Sequence, residues 1–366
     1  MNMSQTHTQS TKSPAADRPV LALALGDAAG IGNELAAKVL ADPSVREAAR
    51  FIVIGDRRQF AHGCAQAGIE TDVPDWSDAG GADLALLDMK NMDPETITVG
   101  QSSKESGRAA LQNFAVALKI CARDGANAAC FTPFNKRSMR LAKPDFIDEI
   151  GFIKAMIDAD TEGSEFNVLD ELWNARVTSH LPLGEVARNI TEDIVLDRIV
   201  LTDTTMRGAG KPRPRIAVAA LNPHAGDGGN FGMEEINIIT PAVEKAKQRQ
   251  IDVTGPLPSD TVYMRANKGE FDAVLSMYHD QGQIAMKLIG FDRGVTLIGG
   301  YPFWIATPAH GTAYDIAGKG VANHQATANA LTLAAKLSAQ REAPPPSVEQ
   351  TKTAIEAALA AKPSFL

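Results

Sequence analysis

The chain has 366 residues, 44% of them hydrophobic, and a formal net charge of −8 at pH 7. This length suits roughly two domains with a substantial core. The acidic balance argues against nucleic acid or an anionic membrane surface as a partner, since both need clustered Lys and Arg. The three cysteines, Cys64, Cys121 and Cys130, show neither CxxC nor CxxH spacing. They predict no disulfide framework and no cysteine metal site, so a cytoplasmic location is expected.

Residues 1–17 are polar and rich in Ser, Thr and Gln. They lack the apolar centre of a signal peptide, so we expect a disordered leader. No stretch approaches the roughly 18 consecutive apolar residues that a membrane helix needs. A soluble protein is therefore predicted.

Short apolar segments alternate with helix-like stretches along the chain, a pattern typical of an α/β protein with a largely parallel sheet. Helical periodicity covers residues 234–249 and 323–337, and a last helix is expected to start near Ser347. Surface connections or a domain crossover are expected at residues 142–148 and 208–213. The predicted strands occupy residues 20–25, 51–55, 126–131, 176–179, 216–221, 273–277 and 295–299.

Three histidines each follow an apolar segment and open a loop: His180, His224 and His279. Parallel strands ending at one edge of a sheet would bring such residues together, and three imidazoles with an open position suit a catalytic zinc-like ion. Each histidine could instead satisfy only a local hydrogen bond. The glycines and acids beside them could turn the backbone at a ligand or simply form structural turns.

The first predicted strand leads into a glycine-rich turn at residues 26–32 (GDAAGIG). Such a turn also occurs in short-chain dehydrogenases, which need a Tyr followed four residues later by Lys. The four tyrosines are followed at that distance by Asn267, Gly282, Ile305 and Gly318. That class is therefore excluded, and the sequence also lacks a phosphate-binding P-loop.

The motifs taken together resemble the 4-hydroxythreonine-4-phosphate dehydrogenase family of vitamin B6 synthesis, over about residues 20–334. This family is similar in fold to isopropylmalate and isocitrate dehydrogenases. The matching segments are 26–32, 132–136 (TPFNK), 179–183 (SHLPL), 221–226 (LNPHAG), 255–261 (GPLPSDT), 278–282 (YHDQG) and 310–313 (HGTA).

The resemblance implies a two-domain α/β fold with mostly parallel sheets and no Rossmann motif. Residues 18–135 with 295–366 would form the first, NAD-binding domain, and residues 136–294 the second. It further implies a homodimer with a shared active site, in which His180, His224 and His279 bind a divalent metal. Three imidazoles favour zinc, cobalt or nickel, while magnesium or manganese is also compatible with the family.

Residues 310–323 resemble the adenosine loop of isopropylmalate dehydrogenases. By that similarity Asp315 would accept hydrogen bonds from the ribose and Asn323 would contact adenine, although Asp315 could also be a helix N-terminal acid. An acid at the ribose repels a 2′-phosphate, so NAD is favoured over NADP. The implied cofactor contacts are His310, Gly311, Thr312, Ala313, Asp315 and Asn323.

The substrate side departs from the family pattern. Where phosphate-handling members carry Gly-His-Thr-Glu after a Phe, Phe146 is followed by Asp148, Glu149, Ile150 and Gly151. Glu149 would repel a phosphate dianion. The family's Arg and Asn are replaced by Ile305 and Thr296, whereas its Lys is retained as Lys287. These changes predict a non-phosphorylated substrate, such as the carboxylated cis-dihydrodiol of the terephthalate dihydrodiol branch.

The predicted reaction oxidises a secondary alcohol beside a carboxylate, with metal as Lewis acid and NAD as hydride acceptor. Lys287 is assigned as anion anchor or proton carrier, and Asp260 and Asp280 as catalytic or structural acids. One alternative keeps the phosphorylated hydroxy acid as substrate, with the phosphate bound by Lys136, Lys287 and backbone amides. The other is a catalytically idle, metal-binding dimer that kept the scaffold.

Overall fold

The computed structural model describes residues 18–71, 73–79, 82–341 and 344–361. Its centre is one sheet of eleven strands in the order β3-β2-β1-β4-β11-β10-β5-β6-β9-β7-β8. The strands are β1 Val20–Ala24, β2 Arg50–Gly55, β3 Leu84–Asp88, β4 Ala128–Phe131, β5 Ser164–Leu169, β6 Leu172–Arg176, β7 Ile216–Ala219, β8 Val253–Leu257, β9 Ala273–Ser276, β10 Val295–Gly299 and β11 Trp304–Pro308.

Helices fill most connections between the strands, as the alternating pattern predicts. They are α1 Gly32–Ala41, α2 Pro43–Ala48, α3 Arg57–Ala67, α4 Trp76–Ala79, α5 Lys104–Cys121, α6 Lys136–Ala142, α7 Glu149–Ile157, α8 Leu183–Val186, α9 Glu192–Gly208, α10 Thr240–Gln248, α11 Ser259–Asn267, α12 His279–Gly290, α13 Gln325–Ala339 and α14 Val348–Ala360. A π-helical turn, Glu235–Ile239, leads into α10. The last helix begins after Ser347, which forms a capping box with Gln350.

Most neighbouring strands are parallel, but they form two groups that run in opposite directions. β3, β2, β1, β4 and β11 are mutually parallel, and so are β6, β9, β7 and β8. Antiparallel pairing of β11 with β10, β10 with β5 and β5 with β6 connects the groups. The predicted mixed α/β fold with a mostly parallel sheet is therefore confirmed.

The core lies on both faces of the sheet, which explains why its strands read as continuous apolar segments. Along β1, Leu21 and Leu23 face one core cluster, which also contains residues of β7, β9 and α13. Ala22 and Ala24 face the other cluster, with residues of α5 and α14. The first cluster draws on strands of both parallel groups, so one layer of packed side chains runs beneath the whole sheet.

Six of the seven predicted strands are confirmed within a residue or two at their ends. The seventh is displaced, because β6 ends at Arg176 and residues 177–179 continue beyond it. Four strands were not predicted: β3, β5, β8 and β11. β8 contains Gly255 and Pro256, which disfavour strand by composition. β5 carries the polar residues Ser164, Glu165 and Asn167 within a mostly buried strand.

The predicted division at residues 135/136 and 294/295 crosses this continuous sheet, since β10 pairs with β5 of the other predicted domain. The predicted leader, residues 1–17, lies outside the described residues. Among the helices of the described part, none is both long and apolar enough to cross a membrane.

Candidate active site

Three neighbouring parallel strands, β6, β9 and β7, lead into the three predicted metal ligands. His180 follows β6 and His279 is the first residue of α12 after β9. Their rings lie 5.7 Å apart between centroids. Within the described residues of one chain, no group of three or more His, Cys, Asp or Glu side chains is placed to hold a metal ion. Among the described residues, His180 and His279 lie side by side, and His224 does not join them.

The two paired imidazoles, His180 and His279, have different surroundings. His279 Nδ1 lies 2.7 Å from Asp280 Oδ1, an arrangement that orients a ring and leaves Nε2 for a ligand. Burial, followed by the positive charge of Lys136, lowers the pKa of His180. A lowered pKa favours the neutral imidazole, which is the form that binds metals. The Asp280 carboxylate therefore contacts the His279 ring directly.

Gln281 joins the ends of the two histidine-bearing strands β9 and β7. Its Oε1 accepts from the Met277 N–H at 2.6 Å, and its Nε2 donates to the Ala220 carbonyl at 2.8 Å. Nε2 also lies 3.1 Å from Ser259 Oγ at the start of α11. This side chain therefore couples the loop before His279 to the loop before His224.

His224 lies apart from the other two, on a turn with unusual backbone angles. His224, Ala225 and Asp227 have φ of 52°, 54° and 44°, and Gly226 and Gly228 have 79° and 65°. Five consecutive residues in the left-handed region are rare, because Cβ crowds the carbonyl there. The turn leaves the imidazole exposed at the surface. It is therefore available to a neighbouring molecule.

A Lys–Glu ion pair lies beside His180. Lys136 begins α6 after β4, and its Nζ is 3.1 Å from Oε2 of Glu149, the first residue of α7. The Glu149 side chain is 12% exposed and that of Lys136 38%. The neighbouring Ile150 is half-buried. The predicted substrate residues on α6 and α7 are thus brought to the histidine pair, but the charge of Lys136 is already balanced by Glu149.

Helix α12 presents polar residues at a spacing of four beyond His279. Gln283 Nε2 donates to Asn167 Oδ1 on β5 at 2.8 Å, and Arg176 Nη1 donates to the same oxygen at 2.8 Å. Lys287, one turn further, is exposed and lies over the Phe291 ring at 5.8 Å. No carboxylate of the described residues pairs with Lys287 within ion-pair distance. A cationic group therefore stands at the far end of this helix face.

Arg176 is the deepest charged group of this region, with its side chain 1% exposed. It lies 2.5 Å from Glu165 Oε2, and its Nε is 3.3 Å from Ser179 Oγ, beside His180. The predictions missed this pair together with Asn167 and Gln283. The spacing of four between His279, Gln283 and Lys287, which places them on one helix face, is the signal that could have identified Gln283.

The remaining predicted substrate and catalytic residues are divided. Thr296 on β10 is half-buried and directly opposite Asn167. Asp260 is exposed and shares a groove between α11 and α12 with Asp280. Ile305, in contrast, is fully buried in β11 within the core. This corrects the prediction that Ile305 contacts the substrate, because its side chain is buried in β11, a strand that was not predicted.

The segment after β11 packs against the glycine-rich turn after β1. The Ile31 N–H donates to the Thr312 carbonyl at 3.0 Å, and a Cβ on Gly30 would lie 2.8 Å from Thr312 Cβ. The Tyr314 hydroxyl donates to Asp27 Oδ2 at 3.0 Å. Burial raises the pKa of Asp27, although hydrogen bonds from the Ala29 N–H and the Tyr314 hydroxyl oppose that shift. The glycine at position 30 is thus required by close approach of the predicted adenosine loop.

A second attachment fixes the other end of this loop. Glu34, fully buried on α1, accepts from the Ala322 N–H at 2.7 Å. Lys38 Nζ lies 2.7 Å from Glu34 Oε1 and donates to the carbonyls of Gly320 and Ala322 at 3.0 and 2.9 Å. The residue before Asn323 is therefore held through both its N–H and its C=O.

The predicted cofactor residues lie together on this anchored loop. Asp315 and Asn323 are exposed, while Gly311, Thr312 and Ala313 are exposed to half-buried. His310 Nε2 is a buried atom without a hydrogen-bond partner among the described residues. An orphaned buried nitrogen and two exposed polar side chains on one rigid loop fit a polar ligand such as a dinucleotide.

Comparisons with known proteins place the chain in a class of α/β dehydrogenases, oxidoreductases that act on CH–OH groups. Residues 47–334 match the family described as "Pyridoxal phosphate biosynthetic protein PdxA". A protein of Rhizobium meliloti (strain 1021) named "Putative 4-hydroxythreonine-4-phosphate dehydrogenase 2" is 50% identical over 331 residues, covering 89% of this chain and 95% of that protein. The chain belongs to the PdxA family.

Other similar proteins share the fold, and their names mention different substrates. A D-threonate 4-phosphate dehydrogenase of Cupriavidus necator is 35% identical, covering 88% of this chain and 98% of that protein. The crystal structure of the Klebsiella pneumoniae 4-hydroxythreonine-4-phosphate dehydrogenase has a TM-score of 0.79 at 31% identity, covering 89% and 99% of the two chains. A Burkholderia xenovorans terephthalate 1,2-cis-dihydrodiol dehydrogenase has a TM-score of 0.59 at 22% identity, covering 87% and 98%, and shares the fold.

Proposed function

We propose that this protein oxidises the secondary alcohol of a phosphorylated hydroxy acid of the 4-hydroxythreonine 4-phosphate or D-threonate 4-phosphate class, with NAD as oxidant and a divalent metal. The observation that carries the proposal is the His180–His279 pair, 5.7 Å apart, in a chain 50% identical to a relative named for the first of these substrates. The alcohol loses a hydride to NAD and its hydroxyl proton to solvent or a base, which gives a ketone.

The residues present fit a divalent metal, because neutral imidazoles are ligands for zinc, cobalt and nickel. His180 and His279 would hold it, with His224 as the third ligand. Such an ion, when bound, supplies Lewis acidity at the reacting hydroxyl. Asp280 would orient the His279 ring through Nδ1. Burial, followed by the charge of Lys136, lowers the pKa of His180 and so favours its neutral form.

A homodimer is proposed as the source of the third histidine. His224 and two exposed apolar side chains, Phe231 and Met233, lie in one segment between β7 and the π-helical turn. The groove between α11 and α12, about 510 Å³, is lined by Met264, Ile284 and Leu288, which are 60–83% exposed. Apolar exposure beside a site is typical of a protein interface. A second copy that covers these residues would bring its own His224 to the pair.

NAD is proposed to lie along the loop of residues 310–323. His310 Nδ1 donates to the Gly311 carbonyl, so Nε2 of the neutral ring is an acceptor and would find a donor in the cofactor, such as a ribose hydroxyl. The exposed carboxylate of Asp315 suits a ribose diol and repels a 2′-phosphate. Tyr314, Glu34 and Lys38 hold the loop against the rest of the protein. The loop would therefore have its binding conformation before the cofactor arrives.

Lys287 is proposed as the anchor for the anionic end of the substrate. It lies eight residues from His279 on α12, about 12 Å along the helix axis. That separation suits a group distant from the reacting carbon rather than a proton carrier at the hydroxyl. Asp260 stays a candidate acid on the α11 side of the groove.

A second candidate substrate is a non-phosphorylated, carboxylate-bearing alcohol such as a carboxylated cis-dihydrodiol. The observation that favours it is the Lys136–Glu149 pair, which removes a free cation from the region beside His180. A monoanionic carboxylate would need less positive charge than a phosphate dianion.

The deciding experiment is NADH formation from 4-phosphohydroxy-threonine, D-threonate 4-phosphate and a carboxylated cis-dihydrodiol, each with added Zn²⁺ or with chelator. We expect metal-dependent turnover of a phosphorylated compound. Turnover of the dihydrodiol alone would overturn this proposal in favour of the second candidate. Metal binding without NADH formation from any of the three would support an idle scaffold.

A further inference from the structure

The two residues just before the turn that carries His224 are hydrogen-bonded to a single buried carboxylate, that of Glu235. Glu235, 2% exposed, begins the π-helical turn eleven residues beyond His224. Its Oε1 accepts from the backbone N–H groups of Leu221 and Asn222 at 2.9 and 2.7 Å. Its Oε2 accepts from Asn222 Nδ2 at 2.9 Å. Three donors immediately before the turn therefore converge on one buried side chain.

The turn itself also packs on this carboxylate. A Cβ added to Gly226 would lie 2.8 Å from Glu235 Oε2, so glycine is required there for contact as well as for its φ of 79°. His224, Ala225 and Asp227 have no such freedom and still adopt positive φ. Conformations that are unfavourable to L-residues persist only where the surroundings enforce them, and they cluster at functional sites.

We propose that Glu235 is a positioning residue of the active site, which holds the left-handed turn and thereby sets the direction in which His224 is presented. This inference rests on the proposed function, in which His224 is the third metal ligand. A carboxylate is needed because it accepts hydrogen bonds at both oxygens. An amide accepts at one only, and its NH₂ group would face a donor.

The neighbouring residue provides a matched control. Glu234 Oε2 also accepts from Asn222 Nδ2, at 2.7 Å, but no backbone N–H of the described turn donates to it. The amide oxygen of a glutamine can replace that single acceptor. Glu234→Gln therefore makes the same chemical change one residue away without releasing the backbone.

The test uses full-length protein with Co²⁺ as probe, its affinity and visible absorption spectrum, and hydrogen exchange of residues 221–230. We expect Glu235→Gln to weaken Co²⁺ binding about 10–100-fold, the range typical of residues that orient metal ligands. The cobalt spectrum should change and exchange across the turn should quicken. Glu234→Gln should match the wild type in all three measurements.

A second variant separates positioning from ordinary structural support. Ala225→Gly relieves the positive φ at that position, so it should raise the melting temperature while weakening Co²⁺ binding. A residue that served stability alone would not move these quantities in opposite directions. If Ala225→Gly strengthened both, the strained turn would not serve the metal and the proposal would be overturned.

The two levels of inference can fail separately. If His224→Ala bound Co²⁺ as tightly as the wild type, the metal assignment in the proposed function would be wrong, and the role of Glu235 would fall with it. If His224→Ala lost affinity while Glu235→Gln retained wild-type affinity and exchange, the metal assignment would stand and the Glu235 inference alone would be overturned.

Discussion

Lys38→Met tests whether the loop proposed to bind NAD is held by the α1 ion pair. The Lys38 ammonium makes three contacts of 2.7–3.0 Å, to Glu34 Oε1 and to the carbonyls of Gly320 and Ala322. Methionine keeps most of the aliphatic volume and removes all three. The carboxylate of Glu34 then stays fully buried with the Ala322 N–H as its remaining described donor.

The magnitude follows from burial. Removing one partner of a buried ion pair costs about 3–5 kcal/mol because a charge is left uncompensated. The Lys38 side chain is 16% exposed and that of Glu34 0%, so we expect about 3 kcal/mol. Because the freed carbonyls belong to the loop before Asn323, part of this loss should appear as weaker cofactor binding, by about tenfold or more.

Urea denaturation measures the free energy of unfolding, and isothermal titration calorimetry measures NAD affinity without turnover. Lys247→Met is the control, since Lys247 forms a helix ion pair with Glu244 at 2.8 Å in which both side chains are about half-exposed. Such a pair contributes about 0.3–0.5 kcal/mol, and NAD affinity should not change. Equal effects of the two substitutions, or unchanged NAD affinity in Lys38→Met, would refute the reasoning.

Two further predictions concern the scaffold. Gly107→Ala would place a Cβ 1.9 Å from the Ser138 carbonyl oxygen, so it should destabilise the α5–α6 contact by about 2–3 kcal/mol. Gly184→Ala is the control, because a Cβ there meets open space and should not destabilise the protein. Equal denaturation midpoints for the two variants would contradict this prediction. Burial would raise the pKa of Asp272, but hydrogen bonds from Arg215 and the charge of Lys211 lower it to about 2. The Asp272 carboxylate should therefore add about 1–2 kcal/mol to the free energy of unfolding at neutral pH. This contribution should disappear as pH falls from about 4 to 2. A stability difference between wild type and Asp272→Asn that stayed constant over that range would contradict the assignment.

The strands around the site were predictable because buried parallel strands consist of short, continuous apolar segments. This pattern located β9 and β7 and the end of β6, although the predicted β6 segment is displaced, so His180 and His279 were expected just beyond strand ends. The two rings lie 5.7 Å apart because β6 and β9 are adjacent and each histidine follows its strand within four residues. Sequence spacing was therefore sufficient where local structure decides the position of a side chain.

The position of His224 was beyond such reasoning. Its turn combines positive φ at two L-residues beside it, Ala225 and Asp227, with anchoring by Glu235. Local preference opposes this conformation, so tertiary contacts decide it. The prediction for Ile305 was wrong for a related reason. Its strand, β11, lies between β10 and β4, and this tertiary position decides that its side chain is buried.

NADH formation by mixed dimers tests the central claim most directly. Differently tagged His180→Ala and His224→Ala chains, each inactive alone, are co-expressed and purified through both tags. If one chain supplies His180 and His279 and its partner supplies His224, the mixed dimer has one intact site and should recover up to about half the wild-type rate. A pair of His180→Ala and His279→Ala chains should stay inactive. An inactive first mixture, with a dual-tagged wild-type dimer fully active, would contradict the account.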